Sequence, residues 1–238
     1  MSILVKAFAV LEPAQRAVAA MLPQNCFLCC DASDDAFLCP ACASSLPLLA
    51  HDHCPGCALP TPGAAVCGAC LKHGTYFDAT VAAWRYEFPI DKLIQSLKYS
   101  HRLASADFLG AGLARVCTGL APDLILPVPL SDQRLAERGF NQSVEIARPL
   151  SRLLGVPLEL HAVRRHRHTA PQAGLPWKER SKNIRHAFDC ITNLSGKSIL
   201  VVDDVMTTGS TLNELARVLK AHGACQVTNA VVARALKD

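Results

Sequence analysis

The sequence predicts an α/β fold, a mostly parallel sheet flanked by helices, with a small cysteine-rich domain ahead of it. Three observations carry that expectation. Nine of the twelve cysteines crowd into the first third of the 238 residues, eight of them in Cys-x-x-Cys pairs. From Tyr76 onward, short runs of Ile, Leu and Val alternate with amphipathic stretches, which is how strands joined by helices read. The run Ser198-Ile-Leu-Val-Val202 is apolar without interruption, as a parallel strand covered on both faces requires.

Residues 1–22 are apolar and acid-poor, with Lys6 and Arg16 as their only basic side chains. Glu12 and Pro13 interrupt the stretch and no small-residue cleavage site follows, which argues against a targeting peptide. The pattern predicts an amphipathic helix packed on the body of the protein, in preference to membrane contact. No apolar run reaches the roughly 18 residues of a spanning helix, so no membrane span is expected. The net charge of +4, from 24 basic and 20 acidic residues, is too small to imply non-specific nucleic-acid binding by itself.

Residues 23–75 hold four Cys-x-x-Cys pairs, Cys26/Cys29, Cys39/Cys42, Cys54/Cys57 and Cys67/Cys70. Shifting the first two pairs by 28 positions lands on the last two, so each half has the spacing C-x2-C-x9-C-x2-C. A fixed period marks two copies of one unit, and a unit this short cannot bury enough apolar surface to fold without a staple. Structural zinc fits that need. Each pair forms a knuckle with two thiolates, and two knuckles close a four-thiolate site at Zn–S distances of about 2.3 Å. Pro40, Pro55, Gly56 and Gly68 lie inside the knuckles, where tight turns are required. A redox pair would instead occur once, at a helix start in a βαβ setting. Sequential pairing of the eight ligands fits the repeat and gives two ions, while cross-bracing or a single ion stays open. So does replacement of Cys29 by Cys30, and His51, His53 and His73 lie near enough to compete. Cys117, Cys190 and Cys225 read as small buried hydrophobes.

Residues 76–238 form the larger domain. Strands are expected at 79–86, 124–128, 158–163, 199–203 and 227–233, and helices at 91–98, 104–116, 142–154 and 212–222. The strand over 199–203 ends in Asp203 and Asp204, at the edge where open α/β sheets bind ligands. Thr207, Thr208, Gly209, Ser210 and Thr211 follow, supplying hydroxyls, backbone N–H groups and one residue free to take positive φ, just before a helix. Charge divides the work. Carboxylates accept hydrogen bonds from sugar hydroxyls and repel a phosphate, whereas the Thr/Gly/Ser loop donates to one. The helix has its own local signals: Thr211 and Glu214 at capping-box spacing, Leu212, Leu215, Ala216 and Leu219 in one stripe, and Gly223 at its stop.

The string Val201-Val-Asp-Asp-Val205-Met206-Thr207-Thr-Gly-Ser-Thr211 resembles the 5-phosphoribosyl 1-diphosphate (PRPP) signature of the type I phosphoribosyltransferases. In the 6-oxopurine salvage branch of that superfamily the residue four after the first acid is another Asp. Here it is Thr207, which cannot act as a general base near neutral pH, and this argues against a hypoxanthine or guanine transferase.

Two more segments are candidates for the site. In Leu126-Pro-Val-Pro-Leu130 the prolines Pro127 and Pro129 cannot donate, so diphosphate contacts fall to the N–H groups of Val128, Leu130 and Ser131, or to Arg134 and Arg138 if they share a helix face. Asn141 is placed to cap the next helix. A rigid turn with solvated arginines is the alternative. Between Arg164 and His186 lie seven basic residues, among them Arg165 and Arg167, against the single acid Glu179. Pro171, Gly174 and Pro176 break any regular element there. This segment reads as a lid whose Arg165 and Arg167 clamp a departing diphosphate, or else as a basic surface patch for nucleic acid.

With the doubled ribbon, Pro-Val-Pro-Leu130, Arg138-Gly-Phe-Asn-Gln142, Arg165-x-Arg-x-Thr-x-x-Gln172, Arg180-x-x-Asn183 and the PRPP-like string in this order, the chain is similar to the ComF/GntX competence family from about Leu22 to Arg234. That resemblance implies a type I phosphoribosyltransferase-like sheet behind a double zinc ribbon, in cytoplasmic bacterial proteins linked to natural transformation or use of external DNA. It further implies Asp203 and Asp204 on the ribose hydroxyls, Thr207 to Thr211 on the 5-phosphate, the basic segment on the diphosphate, and Mg²⁺ bound with PRPP. The implied activity is transfer of a phosphoribosyl group, to an acceptor the resemblance does not supply. A PRPP-sensing adaptor for single-stranded DNA or a DNA-uptake helicase is the rival expectation.

Overall fold

The computed structural model describes residues 25–33, 36–100, 104–165 and 186–236. The helix expected over residues 1–22 and most of the basic segment, with Arg167, lie outside them. The chain divides into two compact units at Leu46/Pro47, so the second copy of the ribbon belongs to the larger unit.

The 28-residue repeat is a structural repeat. In the first unit, Cys26 N–H donates to Asp31 O (2.7 Å), Cys30 N–H to Cys26 O (3.0 Å), and Asn25 bridges Ala32. In the second copy, Cys54 N–H donates to Leu59 O (2.7 Å), Ala58 N–H to Cys54 O (2.8 Å), and His53 bridges Pro60. The first knuckle of each copy turns through one left-handed residue, Cys30 at φ 64° and Ala58 at φ 57°. Helices α1 (Pro40–Ser44) and α2 (Gly68–His73) follow the third cysteine of each copy. Phe27 stacks on Phe37 at 5.2 Å and gives the first unit its own small apolar contact.

In the larger unit, β1 (Ala79–Arg85), α3 (Ile90–Ser100), α4 (Ala104–Val116), β2 (Leu124–Pro127), α5 (Asp132–Arg138), α6 (Gln142–Leu154), β3 (Val163–Arg165), β4 (Phe188–Cys190), β5 (Ser198–Met206), α7 (Ser210–Ala221) and β6 (Gln226–Arg234) follow in order. The main sheet is parallel throughout, in the order β1-β6-β5-β2. Its central strands are apolar along their length because both faces are covered. Ile199, Val201, Val227 and Val231 share a core with Leu212, Leu215, Ala216 and Leu219 of α7, while α4 and α6 pack against each other and against β6 and β5. Two glycines bring α4 in close. A Cβ on Gly110 would stand 2.5 Å from Pro149 and 2.8 Å from the Ile146 carbonyl, and one on Gly112 would stand 1.9 Å from the Trp84 ring.

The second ribbon joins the sheet at its β1 side. Leu48 bridges Trp84 antiparallel, Leu49 N–H donates to Ala83 O (3.2 Å), and Thr80 N–H donates to the knuckle carbonyl of Pro55 (3.0 Å). That edge is thereby partly paired and covered.

The strand expected over 158–163 is not a member of this sheet. Leu158 makes one parallel bridge to Ile125, after which the Glu159 carboxylate accepts from the N–H groups of His161 (2.7 Å) and Ala162 (3.1 Å) and turns the chain. The backbone then forms β3, antiparallel to β4 in a separate two-stranded sheet. The capping box is also not formed. Helix α7 starts one residue earlier than Thr211, its N-cap is Gly209 in the left-handed region at φ 76°, and Glu214 is drawn to Arg217 and to the His186 N–H instead. Asn141 does cap α6, accepting from Ser143 N–H at 3.0 Å. Cys117 and Cys190 are buried as expected, but Cys225 is exposed, with its thiol near Gly196 O at 3.1 Å.

Candidate active site

Strand β5 outlasts its neighbour β2. Pro127, the last residue of β2, pairs with Val202, whereas β5 continues beside β6 to Met206. Asp203 and Asp204 therefore sit where the sheet opens on one side, beside the N-termini of α6 and α7. Ser143 of α6 donates to Asp203 Oδ1 at 3.1 Å, and Gln142 Nε2 lies 3.4 Å from Asp204 Oδ1. Gln142 is held by Arg138, whose guanidinium also lies 5.6 Å over the Tyr99 ring. The carboxylate of Asp204, 5% exposed, forms an ion pair with Lys98 of α3.

This arrangement separates the two acids electrostatically. Burial lifts the Asp203 carboxyl to about 8, and the negative charge of Asp204 adds to the rise. Burial pushes Asp204 the same way, but the Lys98 ammonium outweighs it and holds that carboxyl below the usual range. Burial lowers Lys98 in turn, and Asp204 more than restores it, so its ammonium is held above its ordinary value. Near neutral pH Asp204 is the ionised member and Asp203 carries the proton of the pair.

Beyond the acids, Thr208 Oγ1 and Ser210 Oγ lie 2.9 Å apart, and Ser210 N–H points at Thr208 Oγ1 (3.3 Å). Gly209 is required here by its left-handed φ of 76°; a Cβ would meet only the flexible end of the Met206 side chain, at 2.5 Å, which can move aside. The first N–H groups of α7 have no partner within the helix and carry its positive dipole end, so the loop presents donors and partial positive charge beside the acids. Thr207 is exposed, Thr208 to Thr211 half-buried, and Val205 and Met206 are strand residues, Met206 lying in the core beneath the loop.

The other expected residues divide. Arg165 is a strand residue, 8% exposed, with its guanidinium 5.6 Å over Phe188 and Ser131 bridging its backbone. Burial and the nearby Arg134 charge weaken its hold on its proton, and Asp203 opposes them. Val128 does not offer a free donor: its N–H closes the ladder to Val202 O (2.9 Å) and its carbonyl accepts from Asn141 (3.0 Å). Leu130 is half-buried at the start of the same turn. Lys98 escaped the sequence reading, since nothing in Ser-Leu-Lys-Tyr marks it. Its place on an apolar-faced helix was the only available hint.

The cysteines form two sequential tetrads, Cys26, Cys29, Cys39, Cys42 and Cys54, Cys57, Cys67, Cys70, with the sulfurs of each within 4.8 Å of one another. Thiolates around a tetrahedral zinc stand roughly 3.8 Å apart, and Cys29–Cys39 at 3.7 Å and Cys57–Cys67 at 3.5 Å match that spacing. Without an ion, one thiol of each tetrad is disposed toward the thiolate, while burial and the neighbouring sulfurs push Cys42, Cys57 and Cys70 upward. Burial would raise the Cys26 thiol, yet the N–H groups of Cys29, Cys39 and Leu28 bring it down to about 6. Cys54 is brought to about 7 in the same way by Cys67, Cys57 and Gly56. Cys30 stands outside its tetrad because it occupies the left-handed corner filled by Ala58 in the second copy. His53 is turned to the Ala50 carbonyl at 2.7 Å, and among the described residues no histidine joins either tetrad.

Comparison with known proteins agrees with both halves. Residues 141–238 match the phosphoribosyl transferase domain and residues 17–71 the double zinc ribbon domain. The chain is 40% identical to the DNA utilization protein YhgH of Escherichia coli (strain K12) over 182 residues, 73% of this chain and 80% of that one. It is 33% identical to Competence protein F of Haemophilus influenzae over 223 residues, 84% of this chain and 97% of that one. A purine phosphoribosyltransferase from Pyrococcus horikoshii overlaps 54% of this chain and 71% of its own at 22% identity and a TM-score of 0.37, too slight a likeness to bear on substrate. With a double zinc ribbon, a phosphoribosyltransferase domain and relatives alike over most of their length, the chain belongs to the ComF/GntX competence family.

Proposed function

We propose that the larger unit binds PRPP and transfers its 5-phosphoribosyl group to an acceptor, releasing diphosphate. The observation that carries this reading is the ionised Asp204 beside Asp203, immediately ahead of the hydroxyl-rich loop at the start of α7. The acids accept from the ribose hydroxyls, and Thr207 to Thr211 donate to the 5-phosphate. Lys98 keeps Asp204 charged for that task. Arg165, Arg167 and the turn at Leu130 and Ser131 serve the diphosphate. An acceptor lone pair attacks the anomeric carbon as the bond to the diphosphate oxygen breaks; diphosphate leaves with the electron pair and the acceptor releases its proton. When bound, Mg²⁺ would supply neutralising charge to the diphosphate. Thr207 leaves no side-chain base at the position where purine salvage enzymes have one. Each cysteine tetrad takes one structural zinc ion.

A second reading is favoured by the names of the relatives, which speak of DNA utilization and competence. In it the chain is a cytoplasmic adaptor that senses PRPP and engages single-stranded DNA or a DNA-uptake helicase through its ribbons and basic segment. Aromatic residues are only 5% of the chain, which weighs against base stacking on the ribbons. Calorimetric titration of PRPP with Mg²⁺ is the test. Saturable heat in the parent and none in Asp203→Asn/Asp204→Asn supports the site, and equal binding by both sinks it. Diphosphate release with a panel of bases and amines then separates the enzyme from the adaptor.

A further inference from the structure

The second ribbon does more than cover a sheet edge. Arg234, the last residue of β6 and 3% exposed, spreads its guanidinium between the metal-binding knuckle and the phosphate loop. Its Nε donates to the carbonyl of Cys57 at 2.7 Å, and its Nη1 to the carbonyls of Met206 (2.8 Å), Thr207 (2.6 Å) and Ala235 (2.6 Å). One planar cation thus fixes a tetrad ligand and the first turn of the loop in a single geometry.

A cavity of about 670 Å³ lies at the same junction. One wall is ribbon, with Cys57, Cys70 and His73, and the facing wall is the loop, with Thr207, Thr208 and Ser210. The segment between them is pinned, since Tyr76 N–H donates to Asn213 Oδ1 of α7 at 2.8 Å. The phosphate end of the site is therefore bounded by the ribbon as well as by the sheet.

We infer that the second tetrad is a working part of the phosphate pocket, with Arg234 as the positioning residue that links metal occupancy at Cys54, Cys57, Cys67 and Cys70 to ligand binding at Met206–Ser210. This rests on the proposed PRPP site and deepens it. Without metal the knuckle around Cys57 loses its fixed shape, Arg234 loses one anchor, and the loop is released. Linkage is reciprocal, so ligand in the loop must hold that metal more tightly. The tetrad of the first unit provides an internal control.

The experiment uses the full zinc-loaded chain and follows metal release to a chromogenic chelator, with and without PRPP and Mg²⁺. PRPP should slow release of one of the two ions by about fivefold or more and leave the other unchanged. The protected ion should persist when the first tetrad is disabled by Cys26→Ser/Cys29→Ser. Arg234→Lys keeps the charge but cannot reach both sets of carbonyls, so it should keep both ions and lose the protection. If that variant fails to fold, a parent chain selectively depleted of the second ion should bind PRPP more weakly, by about fivefold or more. Binding heat without selective protection overturns this inference alone. No binding heat overturns the PRPP site and this inference with it.

Discussion

Lys98 of α3 reaches across to Asp204 at the open end of β5, so a buried negative charge of the candidate site is set by a residue over a hundred positions earlier in the chain. Removing one partner of such a pair is costly because the other is left buried and uncompensated. Lys98→Met should cost about 3 kcal/mol of stability at neutral pH. Part of that should return in acid, where Asp204 takes up a proton. Urea unfolding at two pH values measures both effects, and an unchanged midpoint would show that the pair contributes nothing.

Asp203 predicts a second pH dependence of opposite sign. Its carboxyl titrates near 8 in the folded chain against 3.8 in an unperturbed one. Between those values the folded state holds a proton that the unfolded state has released, so this contribution is fully present below about pH 4 and is lost as pH rises to about 8. Asn mimics the protonated acid at every pH. Asp203→Asn should therefore flatten the decline, as read from urea midpoints at about pH 5 and about pH 8.

Metal counting discriminates the neighbouring cysteines. Cys29→Ser should lower the zinc content by one ion per chain, whereas Cys30→Ser should leave it unchanged, because only Cys29 faces the tetrad. Elemental analysis of the purified variants decides, and loss of an ion from the Cys30 variant would contradict the ligand set.

Close helix packing gives a prediction unrelated to chemistry. Gly110→Ala places a methyl against Pro149 and the rigid carbonyl of Ile146, so overpacking should cost about 1–3 kcal/mol. Denaturant titration gives the value, and a neutral result would mean that α4 can shift away from α6 without loss.

Much of this arrangement was legible in the residues. The apolar run over 199–202 announced a strand buried on both faces, and the doubled Cys-x-x-Cys spacing announced four-thiolate sites while leaving their pairing to the structure, because both follow from local, periodic constraints. What escaped depends on where the chain turns in space. Glu159 folds back on two N–H groups and ends a strand whose apolar residues otherwise continue. Glu214 has the spacing of a cap but meets Arg217 and the His186 backbone instead. Val128 appeared as a donor to ligand, yet β5 takes its N–H. Lys98 and Arg234 looked like ordinary basic residues at the ends of amphipathic or apolar elements, since sequence records neither burial nor the carbonyls waiting for them.

The matching hydrogen bonds of the two ribbon copies bear on the ancestry of the chain. A short peptide duplicated in tandem leaves one copy free to acquire new duties while its twin preserves the original one. Here the later copy belongs to the larger unit, and the earlier one to a compact unit of its own. A graft of the earlier copy into the later one's position would inherit the ability to hold an ion. Whether it also restored the neighbouring contacts would measure how far the siblings have parted.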